Sequence, residues 1–159
     1  MQDLIRISML RNIPVILGQR QMGIFQSACF DTARKRVCAF IVSSGVRGKR
    51  IVQAQHVRMI ADGFILVDGW SRYRHSDKQQ TSLFVRDTTG LLVGRVTDYA
   101  IDENAMEVLA IEVISGYCAK DRKERNWIYA YSIAEDSDEL SIPAFLHDQP
   151  LISGEGNEL

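Results

Sequence analysis

Apolar residues in this chain come in short runs broken by polar, charged or glycine-containing stretches, and no run keeps a helical period over any length. Val15-Ile-Leu-Gly18 and residues 22–30 flank a short turn, and residues 37–43, 50–54 and 64–67 follow as further runs. Runs of this length, rich in Val, Ile and Phe, read as β-strands. The polar stretch 31–36, Asp-Thr-Ala-Arg-Lys-Arg, separates two of them and is a hairpin signal; residues 102–107 take the same place later in the chain.

That recurrence is general. Displaced by 71 positions, Met22-Gly-Ile-Phe-Gln-Ser-Ala-Cys-Phe-Asp31 lies over Val93-Gly-Arg-Val-Thr-Asp-Tyr-Ala-Ile-Asp102. Gly23, Asp31, Val37, Ala39, Val42, Ser44 and Gly45 meet identical residues at 94, 102, 108, 110, 113, 115 and 116. After a five-residue length difference the register resumes at 76, with Ile51, Val52, Ala54, Val57 and Phe64 over Trp127, Ile128, Ala130, Ile133 and Leu140. Two homologous units follow, each of five or six short strands, and closure into a small barrel suits such a unit because it leaves no exposed edges. The expected organisation is repeat one at 1–68, a linker at 69–81, repeat two at 82–146 and a disordered tail at 147–159. Val37, Val42, Val52, Val108, Val113 and Ile128 are the expected core.

The repeats resemble the PRC-barrel family, named for the cytoplasmic domain of the photosynthetic reaction centre H subunit and shared with a ribosome maturation factor. Ser8-Met-Leu10 with Pro14-Val15 resembles the family's opening S-x-L-x-G-x-P-V, with Asn12 where glycine is usual. Residues 22–31 resemble its V-G-x-V-x-D-x-x-x-D segment, and Gly94-Arg-Val-Thr-Asp98 with Asp102 fits that pattern more closely, since Ser27 replaces the first Asp in repeat one. The resemblance implies an all-β chain of two tandem PRC-type barrels of about six strands each, used as an adaptor, with no shared catalytic site. In the residues themselves, Gly23 and Gly94 begin strands directly after turns, where a missing Cβ permits positive φ or a close strand crossing. Asp31 and Asp102 end strands, where a carboxylate accepts N–H bonds from the following turn. Gly23, Asp31, Gly94, Asp98 and Asp102 are therefore structural motif positions.

The chemistry is sparse. His56, His75 and His147 are scattered, no phosphate-binding, dinucleotide-binding or nucleophile motif is present, and the cysteines at 29, 38 and 118 lack metal-ligand or disulfide spacing. The acidic residues of 135–139 fit a solvated loop better than a calcium cage. The expectation is a protein that is not an enzyme, with no cofactor, metal or small-molecule substrate.

Charge changes the picture more. Residues 1–70 hold ten Lys/Arg against four Asp, a balance of +6, and the remainder holds nine basic and sixteen acidic residues, a balance of −7. Such asymmetry can steer association. Arg47, Lys49 and Arg50 occupy the connection that Lys120, Arg122, Lys123 and Arg125 occupy in repeat two, where Asp121 and Glu124 interrupt the cluster. With Arg34, Lys35 and Arg36 they could face RNA phosphates, although a pI near 6.3 and the lack of interleaved aromatics argue against a dedicated nucleic-acid binder. Trp70 and Tyr73, next to Arg72 and Arg74, are residue types of interface hot spots, expected to pack between the barrels. The leading expectation is a cytoplasmic adaptor or assembly protein that binds a protein partner or self-associates, without membrane insertion; the alternative is an RNA- or ribosome-associated accessory factor using the basic first repeat.

Overall fold

In a computed structural model, residues 4–31, 35–74, 84–115, 124–129, 132–133 and 140–142 are described. Strands make up 66% of these and no helix reaches seven residues, so the chain is mostly β, with a sheet curled into a half-barrel. It divides into two compact units, Met1–Gln80 with Ile101–Glu107, and Thr81–Ala100 with Val108–Leu159.

In the first unit, β1 (Leu4–Arg6) precedes β2 (Pro14–Leu17), β3 (Arg20–Phe30), β4 (Val37–Ser43), β5 (Lys49–Gln53), β6 (Val57–Ala61), β7 (Phe64–Val67) and β8 (Ser71–Arg72). The ladder runs β6-β7-β2-β3-β4-β5-β8. The second unit is built from β9 (Phe84–Asp87), β10 (Leu92–Asp102), β11 (Val108–Ser115), β12 (Glu124–Ile128), β13 (Ser132–Ile133) and β14 (Leu140–Ile142), and its ladder runs β13-β14-β9-β10-β11-β12. Apart from β8, the two orders are the same. Val15 pairs in parallel with Ile65 as Val85 does with Leu140, and Ile41 pairs with Ile51 as Glu112 does with Trp127. The displacements of 71 and 76 thus hold for β4 and β5 against β11 and β12, whereas the pairing of β2 with β7 matches that of β9 with β14 at 70 and 75. In the last hairpin they do not: Ile60 opposite Ile65 matches Ile133 opposite Leu140, so Val57 is not the counterpart of Ile133. Strands this short fit several registers equally well, and pairing rather than pattern selects one.

Gly23 and Gly94 occupy one structural position. A Cβ on Gly23 would overlap the carbonyl oxygen of Ser43 and stand 2.7 Å from Val42 Cγ1; on Gly94 it would overlap the carbonyl oxygen of Ile114 and stand 3.1 Å from Val113 Cγ1. Neither residue has positive φ. The requirement is the close strand crossing, and the ladder is irregular beside both glycines.

All six expected core residues are buried. In the first unit Phe25 and Phe40 meet edge to face with ring centroids 5.0 Å apart, beside Val42 and Val52 on the ladder. Residues alternate across a strand, so Ala39, Ile41 and Ile51 point to the opposite face, where they form a second apolar cluster with Cys29 and Tyr73 against it. Burial on both faces explains why β4 reads as an unbroken apolar run.

Candidate functional site

The second cluster positions the site. The chain leaves β7 at Asp68, crosses Gly69 and Trp70, and lays β8 antiparallel along β5, with Arg72 opposite Arg50 and Ser71 opposite Ile51. The stretch read from sequence as the start of a linker is thus a strap on the first unit's sheet. Tyr73 packs against Ala39, Ile41 and Ile51. The Lys49 ammonium lies over the Tyr73 ring, 5.4 Å from its centroid, and the Arg50 guanidinium lies over Trp70 at 3.9 Å. Trp70 keeps 41% of its surface exposed. Pairing of β5 with β8 therefore interleaves aromatics and cations that lie some twenty residues apart in sequence, an arrangement spacing alone does not reveal. Among the described residues, Arg47, Lys49, Arg50 and Arg72 form no ion pair.

The root of the strap is clasped. His56 donates from Nδ1 to Asp68 Oδ1 at 2.8 Å, Arg58 binds the other carboxylate oxygen, and the Asp68 amide donates to the His56 carbonyl at 2.9 Å. Gly69 lies flat against the His56 ring, where a Cβ would stand 3.0 Å from Nδ1. The His56 hydrogen bond, followed by the Arg58 contacts, holds the Asp68 carboxyl below its ordinary value.

The remaining candidates lie elsewhere. Lys35 and Arg36 sit beyond the β3–β4 end, where Arg36 faces Glu107 in an isolated bridge and a loose ion pair at 3.9 Å; partial burial lowers the Lys35 amine. Asp31 accepts the Lys35 amide at 2.8 Å and Asp102 the Asn104 amide at 3.0 Å, and the Asp31 and Asp102 amides donate to the carbonyls of Arg36 and Glu107. Both aspartates close turns. Asp98 is buried and accepts the Tyr99 amide at 2.8 Å; at the matching place Ser27 is buried with an unpartnered hydroxyl. Cys38 is exposed, but desolvation pushes its thiol up, which disfavours a thiolate. Arg34, His75, His147, Cys118, the basic residues of 120–123, the acidic residues of 135–139 and the tail 147–159 lie outside the described residues. Among the described residues no group of three His, Cys, Asp or Glu side chains could hold a metal ion, and no helix is long and apolar enough to cross a membrane.

The charge balance is not the surface balance. Asp87, Asp98, Asp102 and Glu112 are buried and satisfied: Asp87 accepts from the amides of Thr89 and Leu91, and Glu112 from Thr97 Oγ1 at 2.8 Å. The −7 of residues 71–159 therefore overstates the acidity they present to a partner, whereas the exposed cations of the first unit face water. No protein-family model and no curated protein matches the chain.

Proposed function

We propose that the chain is a non-catalytic cytoplasmic adaptor, built from two PRC-type barrels of about six strands, that binds a protein partner through the strap edge of its first unit. The observation that carries this reading is the Arg50–Trp70 stack beside Lys49, Tyr73 and Arg72 on an edge where, among the described residues, these cations form no ion pair. Trp, Tyr and Arg dominate interface hot spots because they combine large apolar area with directed polar groups. Guanidinium stacked on indole is held in place while its N–H groups stay available to a partner's carboxylates.

The RNA reading gains from the same edge, because aromatics now alternate with cations there. Affinity capture of wild type, Arg50→Ser and Trp70→Ala from the native host, with and without nuclease, separates the two. A complex that survives nuclease and is lost in both variants supports the protein partner. Loss on nuclease treatment supports RNA. Capture unchanged in both variants removes the strap edge from the proposal, and sizing of the purified chain tests self-association.

A further inference from the structure

We propose that one end of the first unit's sheet docks on an anionic lipid bilayer, with Val46 at the headgroup boundary and Arg20, Arg47, Lys49 and Arg72 against the phosphates. This surface shares Lys49 and Arg72 with the strap edge, extends beyond it to Arg20, Val46 and Arg47, and does not depend on the reading above.

Ladder register puts these residues together. Leu17 pairs with Arg20 and Val67, Val57 with Val67, Ser43 with Lys49, and Arg50 with Arg72. Arg58, Asp68, Arg20, the 44–48 turn, Lys49 and Arg72 therefore all lie at the same end of the seven-stranded sheet, although they are scattered over more than fifty positions. The only acid there among the described residues is Asp68, and His56 and Arg58 already hold it. Arg20, Arg47, Lys49 and Arg72 are exposed and form no ion pair among the described residues. The opposite end is mixed, with Asp31 and Glu107 near Lys35 and Arg36 and Asp62 in the β6–β7 turn. From β3 to β8 the cationic end crosses three strand spacings, about 14 Å, an extent that suits several headgroups rather than one small anion.

The 44–48 turn supplies the apolar element. Val46 has a relative exposure of 106%, the highest among the exposed large hydrophobics. A lone exposed valine is ordinary. This one stands on a turn fixed by hydrogen bonds from the Ser44 amide to the Gly48 carbonyl at 2.8 Å, from the Gly48 amide to the Gly45 carbonyl at 3.0 Å, and from Ser44 Oγ to the Met22 carbonyl at 2.8 Å. Gly45 and Gly48, at φ 64° and 78°, provide the left-handed conformations the turn needs. An apolar side chain held at the tip, with Arg47 and Lys49 close by in the chain, matches an interface where acyl chains lie beneath anionic headgroups. A nucleic-acid backbone offers the cations the same phosphates but gives the valine nothing to enter.

The test is co-sedimentation of the full chain with vesicles of phosphatidylcholine alone and of phosphatidylcholine mixed with phosphatidylserine, at low and raised salt. Binding is expected only to the mixed vesicles and to weaken with salt. Each of Arg20→Ser and Arg47→Ser should lower partitioning about fivefold, and Val46→Asp about tenfold. Arg11→Ser with Arg36→Ser changes net charge as much as Arg20→Ser with Arg47→Ser but lies toward the opposite end of the same sheet, and should leave partitioning unchanged. Absence of binding to the mixed vesicles overturns the proposal, as does equal binding to both kinds. Equal loss in the two double variants overturns it by reducing the effect to net charge. Binding of poly(U) without vesicle binding assigns this end to nucleic acid instead.

Discussion

In the first unit Cys29, Ala39, Ile41 and Ile51 form an outer apolar cluster that Tyr73 covers from the strap; in the second, Ala100, Ala110 and Trp127 take the matching ladder places, and Glu112 stands where Ile41 does. In the second unit β12, the counterpart of β5, brings its own ring. Trp127 is buried on that face, and among the described residues β12 ends the ladder without a further strand. The first unit's fifth strand brings only Ile51, which Tyr73 covers. Covering it requires the chain to turn back along β5, and that path carries Trp70 to Arg50 and Arg72 to the sheet end. A packing difference at one residue pair, Ile51 against Trp127, thus accompanies the difference in surface chemistry between the units.

The sharpest test of this comparison exchanges the cluster residues. Ile41→Glu would bury a carboxylate where the first unit has Gln26 in place of the Thr97 that satisfies Glu112, so a loss of about 3–5 kcal/mol is expected. Glu112→Ile, which replaces a buried polar group by an apolar one in a matching site, should cost less than about 1 kcal/mol. Urea unfolding of the full chain reads both, since Trp70 and Trp127 report on different units. Similar losses in the two variants would break the comparison. Gly23→Val and Gly94→Val come next, at about 3 kcal/mol each, because the added carbon meets a backbone carbonyl that cannot rotate away. A cost near that of a surface substitution in either unit would refute the shared crossing. Val42→Ala and Val113→Ala should each cost about 2 kcal/mol, and Tyr73→Ala about 1–2 kcal/mol with faster amide exchange in Ser71 and Arg72. If Tyr73→Ala left those amides as protected as before, the strap would not depend on its aromatic cover.

How much of this could be read beforehand depends on which interactions are local. The repeat, the core valines, the turn-closing aspartates and the two glycines were legible because alternation, turn chemistry and a missing Cβ leave marks within a few residues. The register of the last hairpin was not, for its strands are too short to specify one. The interleaving of Trp70 and Tyr73 with Arg50 and Lys49 depends on a non-local pairing, so along the chain the aromatics looked like a linker and the basic loop like an isolated charge cluster. Burial of Asp87, Asp98, Asp102 and Glu112 was equally hidden, because a count of formal charges does not distinguish a carboxylate satisfied by backbone N–H groups or a hydroxyl from one in water.

The smallest expected effect isolates the strap root. The Asp68 carboxyl titrates lower in the folded chain than its ordinary value of 3.8, because His56 and Arg58 favour the charged form. A depressed folded value means that the clasp contributes fully above the unfolded value and is lost as pH falls through the folded one. The window is therefore acidic, below about pH 4. Within it amide exchange at Ser71 and Arg72 should rise, and Trp70 emission should shift, while Trp127, in the other unit, keeps its native signal. Asp68→Asn should abolish the acid step by removing the titrating group, leaving the strap equally loose on both sides of the window. A variant that kept the step would assign it to another carboxylate. Simultaneous change at Trp70 and Trp127 in the wild type would mean that acid unfolds the chain as a whole, and the clasp would then be no more than one of many charge pairs lost together.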